Sequence, residues 1–121
     1  MTRFFKALSD ETRLRILNVV MQRECCVCEV VQALQISQTR ASRNLSTLYE
    51  AGFLQVRRDG LWVLYSIDSE NLEQHYPHLL GNIREEIKNN PLAVQDLFRL
   101  ASACRTGLSC AQKTLSASSA N

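Results

Sequence analysis

Apolar residues recur along this chain with two different periods. Leu14, Leu17 and Met21 fall at i, i+3 and i+7, with Ile16 and Val20 on the same stripe. That spacing predicts an amphipathic helix over about residues 10–22. Ser9 is placed to cap it, and Asp10 and Glu11 suit its first turn. Ahead of it, Phe4, Phe5 and Leu8 predict a short apolar helical opening. Val27, Val30, Val31 and Leu34 repeat the helical spacing and predict a short second helix. Gln35-Ile36-Ser37 then makes a tight turn, and Ser37 caps a third helix over about 38–51. Its buried face is Ala41, Leu45, Leu48 and Tyr49. Its outer face is Gln38, Thr39, Arg40, Ser42, Arg43, Asn44 and Thr47, and Gly52 supplies the left-handed stop.

Beyond Gly52 the period changes to two. Residues 55–58 and 61–67 read as strands, and Asp59-Gly60 between them is a two-residue hairpin signal. Ser69 starts a short helical turn. Pro77 suits the first position of a helix carrying Leu79, Leu80, Ile83 and Ile87. Asn89-Asn90-Pro91 breaks that helix, and a last one runs over about 91–104, with Leu92, Phe98 and Ala101 as its packing residues. The expected fold class is mainly α with a small β-hairpin. One domain spans 1–105, and a disordered tail covers 106–121, where little can be buried.

A short helix, a tight turn and a second helix with a polar outer face form a helix-turn-helix, and the hairpin after it makes the winged variety. Such a second helix lies in the major groove. Gln38 can pair with adenine, and Arg40 or Arg43 with guanine. Ser37, Thr39, Ser42 and Asn44 complete the candidate DNA-contacting set on that helix. Arg57 and Arg58 sit at the wing, where phosphates or the minor groove would meet them. The charge distribution agrees. Residues 1–65 carry nine Lys/Arg against six Asp/Glu, and residues 66–103 carry three against six. A basic front suits a polyanion. Nothing approaches the apolar length of a membrane span, and the first residues lack a signal-peptide stretch. The expected location is the cytoplasm.

Five cysteines stand at 25, 26, 28, 104 and 110. Three in four residues is a poor disulfide framework and a good soft-ligand cluster. In a regular helix Cys26 and Cys28 lie about 200° apart, so joining them on one ion would require unwinding the helix start. Cys25 and Cys28 lie about 60° apart and converge more easily. Cys25-x-x-Cys28 is formally a redox motif, but no βαβ pattern or phosphate loop surrounds it, so the expectation is no enzyme.

Residues 5–17, Phe5-Lys6-Ala7-Leu8-Ser9-Asp10-Glu11-Thr12-Arg13-Leu14-Arg15-Ile16-Leu17, resemble the opening of the ArsR–SmtB family of metal-sensing repressors. Ser37-Gln38-Thr39-Arg40-Ala41-Ser42-Arg43-Asn44-Leu45 resembles its recognition helix, with Asn44 where a histidine is common. Gly52-Phe53-Leu54 and the Asp59-Gly60 wing continue the likeness, which covers about residues 4–67 and, more loosely, the helix after Pro77. The resemblance implies a homodimeric winged-helix repressor that leaves an inverted-repeat operator when an inducer binds. It also implies a dimer interface from the first and last helices, using apolar residues of 3–8 and 77–88.

Glu24-Cys25-Cys26-Val27-Cys28-Glu29-Val30 resembles the E-L-C-V-C-D-L box of the family's arsenic, antimony, cadmium and lead sensors. On that likeness Cys26 and Cys28 hold the box thiols, Cys25 replaces a leucine, and the third cysteine of arsenite sensors falls at Val31. The implied inducer is As(III) or Sb(III), with no cofactor needed for folding. Cys25 is the economical third ligand, with Cys104 or Cys110 as alternatives. The family's nitrogen–oxygen zinc site needs an Asp-x-His and a later His-x-x-Glu. Asp68 has no histidine two places on, so His75 and His78 are read as surface or interface packing residues. The alternative function is a thiol redox or persulfide sensor of the same fold, pairing Cys26 or Cys28 with Cys104.

Overall fold

Helix ends along the chain are set by side chains that satisfy otherwise orphaned backbone groups. The computed structural model describes residues 3–105. The expected tail at 106–121, with Cys110, lies outside the described residues. Seven helices and one hairpin follow in order: α1 (Arg3–Ala7), α2 (Glu11–Gln22), α3 (Val27–Leu34), α4 (Gln38–Glu50), β1 (Leu54–Asp59), β2 (Trp62–Ile67), α5 (Ser69–His75), α6 (Leu79–Ile87) and α7 (Pro91–Leu100). The cap of α2 is Asp10, not Ser9. Asp10 accepts from Arg13 N at 3.1 Å, while Ser9 Oγ donates back to Lys6 O and closes α1. Ser37 caps α4 by accepting from Arg40 N at 3.1 Å, a contact worth about 1 kcal/mol. Gln35 ends α3 in the left-handed region, at φ 59°.

Gly52 stops α4 at φ 97°, with Phe53 N returning to Leu48 O at 3.0 Å. The strands pair antiparallel from Leu54↔Ile67 to Asp59↔Trp62. The two turn residues are therefore Gly60 and Leu61, one place beyond the Asp59-Gly60 expected, because Gly60 takes the positive-φ first turn position. Cys25 adds one bridge on the outer side of β2, with Cys25 N to Tyr65 O at 3.0 Å and Tyr65 N to Cys25 O at 2.8 Å.

The core fills with Ile16, Leu17 and Val19 of α2, Val30 and Ala33 of α3, Leu45 and Leu48 of α4, and Phe53. Phe4 stacks between Phe53 and Tyr76, with ring centroids at 4.3 and 3.9 Å. Phe4, Ala7, Ile83 and Ile87 are thus buried within the chain itself. Of the apolar residues of 3–8 and 77–88 expected at a dimer interface, Phe5 stays about half exposed, and Leu8, Leu79 and Leu80 are partly exposed.

Two later helices also differ from expectation. Pro77 lies in a turn, and α6 begins at Leu79 after His78 in the left-handed region. Asn90 caps α7 by accepting from Leu92 N and Ala93 N. That helix turns Ala93, Asp96 and Leu100 inward, leaving Leu92 and Phe98 exposed, Phe98 at 82%. The reason is a buried ion pair. Arg15 of α2 grips Asp96 at 2.7 and 2.8 Å, and Arg99 adds a contact at 3.3 Å. Val94, Leu97, Phe98 and Ala93 line an apolar groove against Asn18 and Gln22 of α2 and Arg84 of α6. Among the described residues no helix is long and apolar enough to cross a membrane.

Candidate functional site

The tight turn of Gln35-Ile36-Ser37 sets α4 after α3, and the polar side chains at the start of α4 face outward. Gln38, Thr39, Ser42, Arg43 and Ser46 line a shallow open concavity. Ser37 is exposed but its hydroxyl is engaged as the cap. Arg40 reaches back, donating to Thr12 Oγ1 at 2.8 Å. Asn44 is buried, not on the outer face. It accepts from Arg13 Nη1 at 3.0 Å and donates to Arg40 O at 3.0 Å. Arg13 also donates to Ala7 O and Lys6 O, so one guanidinium joins α1, α2 and α4. Sequence reading missed that role. Tyr49, expected inside, is about half exposed.

On the wing, Arg58 is exposed. Arg57 holds Glu24 through two bonds at 3.1 and 2.5 Å. The Arg57 hydrogen bonds pull the Glu24 carboxyl below its usual range, and Glu24 in turn raises the guanidinium. The wing's cation is thereby tied to the residue that precedes the cysteines.

The cysteine stretch is not helical throughout. Cys26 is the extended N-cap of α3, and its backbone N donates to Glu29 Oε1 at 2.9 Å. Helix starts only at Val27, so no unwinding is needed. The Cys26 and Cys28 sulfurs stand 3.0 Å apart, in a small cluster with Leu64 against which Trp62 packs. Trp62 Nε1 is buried there with no hydrogen-bond partner. Cys25 belongs to the main core instead. Its sulfur donates to Arg23 O at 3.3 Å, and burial, with Glu29 adding to it, pushes the thiol up to about 12. The structure brings Cys26 and Cys28 together and does not bring Cys25 to them.

Glu29 is almost fully buried and is matched by Arg23 at 2.6 Å and Arg105 at 3.3 Å. Arg23 also donates to Leu100 O and Ala103 O, which holds the segment after α7 beside the cysteines. Cys104 is exposed, and its carbonyl lies 3.7 Å from Cys28 Sγ. His75 bonds Asn71 O on its own helix, and His78 caps α6. Among the described residues, no three His, Cys, Asp or Glu side chains stand close enough to hold a metal ion as they are.

The sequence profile of the bacterial regulatory protein, arsR family, matches residues 10–56. The arsenic resistance transcriptional regulator ArsR1 of Pseudomonas putida is 48% identical over 67 residues, covering 54% of this chain and 52% of that protein. The arsenical resistance operon repressor of Escherichia coli K12 is 41% identical over 83 residues, covering 68% of this chain and 67% of that one. The chain thus spans about half to two thirds of the length of these curated relatives. Among solved structures, a homodimeric winged helix-turn-helix DNA-binding domain from Mycobacterium bovis, a possible ArsR-family regulator, superposes with a TM-score of 0.61. It is 30% identical, covering 73% of this chain and 78% of that one.

Proposed function

The chain belongs to the ArsR family of bacterial regulatory proteins, and from that footing we propose that it is a homodimeric, cytoplasmic DNA-binding repressor, released from an inverted-repeat operator when arsenite or antimonite binds the Cys26 and Cys28 thiolates. The observation that carries this reading is the meeting of the two sulfurs at 3.0 Å where α3 begins, in contact with wing residues Leu64 and Trp62. Soft thiolates suit a trivalent metalloid. Gln38, Thr39, Ser42 and Arg43 are the groups for base edges. Arg58, and Arg57 once it leaves Glu24, serve phosphates.

The logic of release is local. A metalloid bridging Cys26 and Cys28 pulls on the cap of α3, the helix that leads into α4, and on the wing residues packed there. Release requires that the inducer prefer the altered state, and a few kcal/mol of differential affinity suffices.

The test is selection of duplexes from a random pool, then titration of the enriched sequence with and without arsenite in excess phosphine reductant. The expected result is an inverted repeat bound tightly and released by arsenite. No enrichment would overturn DNA recognition. Enrichment with no arsenite response would overturn the metalloid. Release only when the reductant is withdrawn would favour the thiol redox reading, which the same 3.0 Å sulfur pair would serve.

A further inference from the structure

We infer that the corner between α1 and α2 is a phosphate-binding surface, on which Lys6 and Arg3, positioned by Arg13, hold the DNA backbone that borders the groove entered by α4. This rests on the DNA reading above and asks what fixes α4 in its register on the duplex.

Charge pairing singles these residues out. Arg15, Arg23, Arg57, Arg99 and Arg105 are each held by an aspartate or a glutamate, and Lys88 is held by Glu85. Among the described residues, no ion pair joins Arg3, Lys6 or Arg13 to an acid. Arg40 and Arg43 of α4, Arg58 of the wing and Arg84 of α6 are likewise without one. With the exception of Arg84, the uncompensated positive charge of the described residues therefore stands on α4, the wing and this corner.

Arg3, Lys6, Ala7, Ser9 and Arg13 line an open hollow together with Thr47 of α4, and no acid lines it. The acids of this stretch are engaged elsewhere, Asp10 by Arg13 N and Glu11 by Asn90 Nδ2 at 2.9 Å. The partners of the Arg13 guanidinium are neutral oxygens, the carbonyls of Lys6 and Ala7 and the amide of Asn44. Its charge is oriented by them and not cancelled. Those bonds, with Ser9 Oγ to Lys6 O at 2.7 Å, also occupy the carbonyls that end α1. The exposed Lys6 ammonium is thus not needed to cap its own helix. Arg3, also exposed, donates to another neutral oxygen, Glu50 O at 3.5 Å.

The hollow continues the base-reading face of α4. Arg43 lines the concavity of that face, and Thr47, one turn further on, lines the hollow. Thr47 Oγ1 donates to Arg43 O at 3.1 Å. A helix lying in the major groove runs between two phosphate backbones, and contacts to them set register without reading sequence. Arg13 ties α1 to Asn44 of α4, so the two cations move with the helix that they would register.

The experiment takes the inverted repeat enriched from the random pool and a scrambled duplex of the same composition. It measures the affinity of the full chain for both, without arsenite, from about 50 to about 200 mM salt. Lys6→Gln removes one contact from each subunit of the homodimer. At about 0.9 per phosphate contact, its slope of log affinity against log salt should be shallower by about 1.8. Both duplexes should weaken by the same factor, since no base contact is lost. Arg3→Gln should behave alike, and Lys6→Arg should restore the parent slope. Lys88→Gln removes an equal charge from α6 and should keep the parent slope. A parent slope in both Lys6→Gln and Arg3→Gln would overturn the inference and leave DNA recognition standing. So would a reduced preference for the enriched duplex in Lys6→Gln, which marks a base contact, or an equal change in Lys88→Gln, which marks net charge alone. A parent chain that enriches no duplex would overturn both readings.

Discussion

Cys25 and Cys26 are adjacent in the chain yet end in separate apolar clusters. Extended backbone sends successive side chains to opposite faces, and this stretch is extended as far as the Cys26 cap. Helical angles applied to all three cysteines therefore favour Cys25 over Cys26 as the partner of Cys28, whereas the fold pairs Cys26 with Cys28. The clue in the sequence is Glu29, three residues after Cys26, at the spacing from which a side chain reaches back to a cap. The burial of Cys25 has a measurable consequence. Its thiol is pushed from its ordinary 9.0 up to about 12, so the folded chain keeps a proton that the unfolded chain gives up. That contribution is complete below pH 9 and is lost as pH rises through about 12. Half-buried Tyr65, also raised by burial, acts in the same direction. Urea unfolding at stepped alkaline pH should show stability falling across this window, less steeply in Cys25→Ala. Parallel profiles would clear the thiol of any part in it.

The helices and the hairpin were legible at the scale of elements, because caps, glycines and apolar spacing are local signals. Ser37 and Gly52 bound α4 as the sequence predicts. What failed was orientation where a charged residue goes inside. Asp96 reads as a surface acid, and its burial against Arg15, 81 positions away, rotates α7 and exposes Phe98. Asn44 reads as a base contact and is instead used up by Arg13. No local pattern announces either partner. Removing Asp96 leaves the Arg15 guanidinium buried without its main counter-charge, so Asp96→Ala should cost about 3–5 kcal/mol. Replacing both at once, as Arg15→Met with Asp96→Leu, should cost much less. Denaturant midpoints decide it, and equal losses in the single and double variants would remove the ion pair as the cause.

For the whole molecule, exposed apolar surface stands at Phe5 of α1 and, more extensively, on α7. Phe4, Ile83 and Ile87 are satisfied within one chain, whereas Leu92, Val94 and Phe98 of α7 are not. A homodimer of this chain should therefore draw on α7, and Phe98→Glu should sediment as a monomer at concentrations where the parent is a dimer. An unchanged dimer would put the contact elsewhere. The sequence could show that apolar residues were too many for the surface, but not which ones an added helix would cover. The single bridge between Cys25 and Tyr65 matters at this scale too. A two-stranded ribbon is marginal alone in water, and here β2 exchanges both backbone bonds with Cys25, the residue before Cys26. The wing and the cysteine stretch therefore open and close as one cooperative unit. Whatever loosens one end shortens the time the other spends ordered, so a disturbance at the cysteines is felt along the whole ribbon and not only at Trp62 and Leu64, which they touch.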